Sequence, residues 1–104
     1  MFRRGTTPTV IFTIDNIDFE KVTAIYITIK QGNYTINRDN NDIEVSVDEG
    51  KLRIKLTQED TLKLRKGRVM AQVRAIYYDD IAVATDILYD YCVDVLREDV
   101  ISNG

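Results

Sequence analysis

Apolar residues in this chain recur at every second position, and that period admits strands rather than helices. The strongest run is Val22 to Lys30 (V-T-A-I-Y-I-T-I-K), with Ile25, Ile27 and Ile29 in step. Successive side chains of a strand point to opposite faces, so such a run buries one face and wets the other. Lys51 to Leu56 alternates in the same way, with Leu52, Ile54 and Leu56 inward and Lys51, Arg53 and Lys55 outward. Ile43, Val45 and Val47 share one face of a strand before it, and Asp48-Glu49-Gly50 is a three-residue hairpin loop between the two. Arg68 to Tyr78 is a long strand: Val69, Ala71, Val73, Ala75 and Tyr77 lie on one face, Met70, Gln72, Arg74, Ile76 and Tyr78 on the other. Thr9 to Ile14 and Tyr34 to Asn37 read as shorter strands. After the Asp79-Asp80 turn, Ile81 to Ile87 returns and apolar character continues to Val95.

One segment breaks the period. Thr57 suits a helix N-cap, Glu59 and Asp60 its first turn, Lys63, Arg65 and Lys66 its far end, and Gly67 its stop. The chain is therefore expected to be all-β: an antiparallel immunoglobulin-like β-sandwich of seven to eight strands with one short crossover helix at about 57–65. A small closed barrel is the alternative. With 104 residues, 1–104 reads as a single domain. Residues 1–7 form a flexible N-terminal arm, either loose or docked on a neighbour, and residues 97–104 a C-terminal tail.

The residue inventory excludes several chemistries. Histidine is absent, which removes the Ser-His-Asp triad, the Cys-His dyad and histidine-ligated metal. Cys92 is alone, so neither an internal disulfide nor a cysteine zinc site is open to the chain. The expectation is a protein without enzymatic activity, cofactor or metal. Asp39, Asn41 and Asp42 fail the EF-hand spacing, because Ile43 and Glu44 stand at its fifth and sixth positions, and they read as a turn.

Charge is unevenly spread. Residues 51–78 carry eight basic and two acidic groups, while residues 79–104 carry one basic and seven acidic, in a chain of net charge −3. Arg3 and Arg4 stand in the arm, and Lys51, Arg53 and Lys55 make a basic row. Asp86, Asp90 and Asp94, four residues apart, share one face. The basic row has a plain reading as an edge strand guarded by cations, and the acidic face as a solvated one. If basic and acidic faces meet between subunits, the contact is head to tail. Tyr77 and Tyr78 are the candidates for a carbohydrate-stacking pair. An acidic chain with a pI of about 4.9 is not the usual footprint of a nucleic-acid binder, and neither signal peptide nor membrane span is recognisable.

R-R-G-T-T-P-T at residues 3–9, I-Y-I-T-I-K-Q-G at 25–32, K-L-T-Q-E-D-T-L-K at 55–63 and V-M-A-Q-V-R-A at 69–75 form a set. Together they resemble small prophage-encoded structural proteins of Gram-positive gut bacteria. The opening R-G-T-T is also similar to the N-terminal β-sandwich domain of phage baseplate upper proteins, which anchors a receptor-binding apparatus to the tail. The resemblance implies a phage or prophage structural or assembly module whose partners are other phage structural proteins or a second copy. It implies a life in the bacterial cytoplasm during assembly and then in the virion. It supplies no catalytic residues. The alternative function is a carbohydrate or host-surface binding domain.

Overall fold

Two packed sheets result from this alternation. The computed structural model describes residues 1–103. Among them are nine strands and one α-helix: β1 (Phe2–Arg3), β2 (Thr9–Thr13), β3 (Val22–Gln31), β4 (Tyr34–Arg38), β5 (Ile43–Ser46), β6 (Lys51–Lys55), α1 (Gln58–Lys63), β7 (Gly67–Tyr77), β8 (Ala82–Ala84) and β9 (Leu88–Val93). A 3-10 turn at Phe19–Lys21 precedes β3. The larger sheet runs β1-β9-β7-β3-β4, with β8 also on β7, and the smaller runs β2-β6-β5. No helix of the described residues is long and apolar enough to cross a membrane.

The core lies where the two inner faces meet. Ile25, Ile27, Ile29, Val69 and Val73 come from the larger sheet, Phe12, Leu52 and Ile54 from the smaller, and all are buried. The inward sets expected for β3 and β6 are therefore in place. Val45 and Val47 are not: both are exposed, although Val45 pairs with fully buried Leu52. Strand β5 is the outer strand of a three-stranded sheet, and the chain turns away after Ser46. Alternation sets which way a side chain points; it does not guarantee that anything lies opposite.

Four further expectations change. The seven to eight strands become nine because the return after Asp80 splits into β8 and β9, and Phe2–Arg3 adds a two-residue strand. At the split, Thr85 stands in for the ladder: its N–H donates to the Val73 carbonyl, and its hydroxyl accepts the Val73 N–H. Strands β8 and β9 thus follow one edge of β7 with a bulge between them. The sheet is also not wholly antiparallel, since β1 pairs in parallel with β9. Residues 1–7, expected as a flexible arm, are held by this strand pair and by Thr61, whose hydroxyl donates to the Thr6 carbonyl at 2.9 Å. The tail is tied as well: the side-chain amide of Gln58 exchanges two hydrogen bonds with the backbone of Ile101. Gly104 lies outside the described residues.

Helix α1 begins as expected and ends earlier. Thr57 and Asp60 form a reciprocal capping box, each side chain accepting the other's backbone N–H. The helix stops at Lys63 with Leu64 as C-cap, and Gly67 instead opens β7. Leu52 is fully buried at the centre of the smaller sheet, and Leu52→Ala is expected to cost about 2–5 kcal/mol. Denaturant titration of the two proteins measures that difference; a loss near zero would mean that the inter-sheet core is not packed as described.

Candidate interaction surfaces

Arg4 is engaged within its own chain. Its side chain is 11% exposed and ties three parts of the chain together. Nε donates to the Leu64 carbonyl at 2.6 Å and Nη2 to the Leu62 carbonyl at 2.8 Å, so the guanidinium caps the last turn of α1. Nη1 reaches the carboxylates of Asp94 and Glu98, both at 2.7 Å. Gly5 follows at φ +74°, a conformation open to glycine, and turns the chain toward the helix. Arg3 remains exposed, and its guanidinium donates to the Asp94 carbonyl.

The acidic residues are not a free face. Asp94 is committed to Arg4, Asp90 meets the Met1 amino group, and Asp86 is exposed in the bulge between β8 and β9. No group of three or more metal-ligating side chains occurs among the described residues. The basic row is likewise partly satisfied: Glu49 pairs with Arg53 at 3.2 Å and with Lys51 at 3.6 Å, while Lys55 stands exposed. The row does not guard an edge, because β6 is the middle strand of its sheet. Tyr77 is half-buried, and its hydroxyl accepts the Asp18 N–H. Tyr78 is exposed at the end of the hairpin. Cys92 is buried, and burial pushes its thiol pKa up.

The unguarded edge is β2. Its sequence, T-V-I-F-T, carries no charge and no proline. Leu56 donates to the Pro8 carbonyl and Ile14 to the Gly50 carbonyl, which places the even-numbered residues in the hydrogen-bonded pairs with β6. Thr9, Ile11 and Thr13 therefore aim their N–H and C=O groups away from the sheet, where no described strand pairs with them. Beside this edge lies an apolar cleft of about 260 Å³ between the two sheets. Phe2, Val10, Phe12, Val69, Ala71 and Leu88 are among its lining residues, and Asp90 is the one charged residue there. The cleft exists because a three-stranded sheet covers only part of a wider one.

A second surface is the outer face of the larger sheet. The register sets Tyr26 beside Arg74, Tyr89 beside Met70 and Tyr91 beside Arg68. The three tyrosines are between 43% and 57% exposed, and the Arg68 guanidinium sits 4.6 Å from the centre of the Tyr89 ring. The sequence reading singled out Tyr77 and Tyr78 instead. The signal for this exposed set was the alternation itself: Tyr26 is out of step with Ile25, Ile27 and Ile29, and Tyr89 and Tyr91 are out of step with buried Cys92. Comparison with family models, curated proteins and solved structures finds no match to this chain.

Arg4 generates a stability prediction with a pH signature. Its hydrogen bond holds the Asp94 carboxyl below the usual carboxylate range, helped by the Val95 N–H. A lowered folded pKa means that the stabilisation is complete above the unfolded value, near 4, and is lost as pH falls through the folded value. Arg4→Ala strands the Leu62 and Leu64 carbonyls and is expected to cost about 2 kcal/mol near neutral pH, with the exposed carboxylate partners contributing little. The variant's melting temperature should also fall less between pH 6 and pH 3 than the wild type's, since its Asp94 has lost the largest cause of its depressed pKa. Parallel acid profiles for the two proteins would remove Arg4 from this role.

Proposed function

We propose that this chain is a non-enzymatic structural or assembly module of a phage or prophage particle, built as an immunoglobulin-like sandwich and working through protein–protein contacts. The phage setting, with cytoplasmic assembly followed by residence in the virion, is the one that the sequence resemblance implies. The observation that carries the binding reading is the unguarded β2 edge above its apolar cleft. Unpaired N–H and C=O groups in a row are a template for an added strand. In strand addition the main-chain bonds supply affinity, and pockets for alternate side chains supply selectivity. Here Thr9, Ile11 and Thr13 offer the bonds, and the cleft has room for the alternate apolar side chains of an extended partner segment. Each such side chain, once buried, is worth about 1.5–3 kcal/mol.

The substitution that isolates this edge is Ile11→Pro. The Ile11 N–H points outward, so proline there removes a donor from the free edge and none from the β6 ladder. Synthetic peptides alternating valine or leucine with threonine are the probe, titrated by fluorescence anisotropy. The wild type is expected to bind a subset of them, and Ile11→Pro to lose at least tenfold in affinity while its melting temperature drops by less than about 8 °C. Equal affinity in the two proteins would sink the reading.

A second reading, a carbohydrate or host-surface binding domain, is favoured by one observation: the exposed Tyr26, Tyr89 and Tyr91 beside Arg68, Gln72 and Arg74. Aromatic faces flanked by hydrogen-bonding groups are what sugar rings stack on. Glycan-array binding that survives replacement of all three tyrosines by alanine would eliminate this face.

A further inference from the structure

Charge divides between the two ends of the molecule, not between two faces of its sheets. At one end three loops meet. The Ile14 N–H donates to the Gly50 carbonyl, and the Tyr78 N–H donates to the Lys21 carbonyl, which fixes them together. The first loop brings Asp15, Asp18 and Glu20, the second Asp48 and Glu49, and the third Asp79 and Asp80 at the tip of the β7–β8 hairpin. Lys21 is the one cation within these loops, and of the seven carboxylates Glu49 alone is engaged in an ion pair among the described residues.

The opposite end is basic and concave. A groove of about 540 Å³ is lined by Gln31, Tyr34, Lys63, Arg65, Lys66 and Arg68 together with the Gly32-Asn33 turn and Gly67, and no carboxylate lines it. The groove is braced from below, since the Gln31 side chain exchanges hydrogen bonds with the N–H and C=O of Arg65 at 2.6 and 2.7 Å. None of its four cations forms an ion pair among the described residues. Strand β7 runs from this groove, at Gly67, to the acidic tip beyond Tyr77. At about 3.3 Å per residue the separation is about 33 Å, roughly four times the Debye length at physiological salt. The ends therefore cannot neutralise one another within one molecule, whose extents are 47 × 30 × 20 Å.

We propose that copies of this chain join head to tail, the acidic Asp79–Asp80 tip of one seated in the basic groove around Arg65 and Lys66 of the next. Charge complementarity names the occupant: the same chain carries both an unpaired basic groove and an unpaired acidic tip. Such a contact is heterologous, so repetition closes a ring or extends a filament. It uses neither the β2 edge nor its cleft, and it stands or falls apart from the strand-addition reading.

The test is mass in solution by light scattering over a concentration series, at low and at high salt. The wild type is expected to exceed monomer mass as concentration rises at low salt and to return to monomer at high salt. Two variants remove one end each. The first is Lys63→Gln with Arg65→Gln and Lys66→Gln. The second is Asp79→Lys with Asp80→Asn, asparagine being chosen because residue 80 sits at φ +66°. Each variant alone should be monomeric at low salt. An equimolar mixture should form a species of two chains and nothing larger, because only one intact groove–tip contact can form per pair. A wild type that stays monomeric throughout overturns the proposal, and so does an oligomer whose mass ignores salt, which would point to the β2 edge instead. Circular-dichroism melting of both variants checks that they fold, and the wild-type salt series stands without them.

Discussion

The unequal width of the two sheets is the constraint from which the rest of the molecule follows. Three strands cannot cover an opposing sheet of five strands in a row. Leu52, Ile54, Ile27 and Val73 are essentially fully buried at the centre, as are Leu56, Leu64 and Cys92 toward the helix end. Toward the margins the same inward alternation meets open space. On the β5 side this leaves Val45 exposed, and on the β2 side it opens the cleft under Val10 and Phe12. The folded surface of 6934 Å² exceeds the roughly 6,000 Å² expected for a chain of this mass. The radius of gyration, 14.7 Å, likewise exceeds the roughly 13 Å of a compact chain. Both fit an elongated sandwich with uncovered margins.

Closure at the helix end adds polar ties to an apolar base, with Leu56 and Leu64 fully buried on either side of the helix. Helix α1 is only six residues long and caps the sandwich through side chains that reach far along the chain. Arg4 binds its last carbonyls, Thr61 binds the Thr6 carbonyl, and Asp60 pairs with Arg38 of β4. The arm, the helix and the segment after β9 thereby become one unit. That commitment also clarifies the charge pattern. Once Arg4 has consumed Asp94 and Glu98, the unpaired cations left near that end are Arg3 and those of the groove. Local pairing strips the sequence-level asymmetry down to two separated ends.

Much of the fold was legible in the sequence because period-two alternation is a local signal. The burial of Ile25, Ile27 and Ile29, the β5–β6 hairpin and the Thr57 cap all follow from residues within about a dozen positions of one another. What was not legible is long-range. Nothing near Phe2 and Arg3 announces a parallel partner ninety residues away, and nothing near Val45 says that its sheet stops there. The surroundings of the candidate contact residues were not legible for the same reason. Arg4, Asp90 and Asp94 look like free surface charges until β1 is laid beside β9. Tyr26 and Tyr89 become one surface only when β3 and β9 flank β7. The basic row on β6 was read as an edge because strand order is set by pairing, which alternation does not encode.

The central claim is that β2 is a half-satisfied strand, bonded on one side and open on the other. Native-state amide hydrogen exchange of the free protein tests this residue by residue. Val10 and Phe12, which donate to β6, should exchange slowly, while Thr9, Ile11 and Thr13 between them should exchange fast. That sawtooth along five consecutive residues is what an open edge produces. Uniform slow exchange across Thr9–Thr13 would mean that the edge is already covered, and would contradict the account.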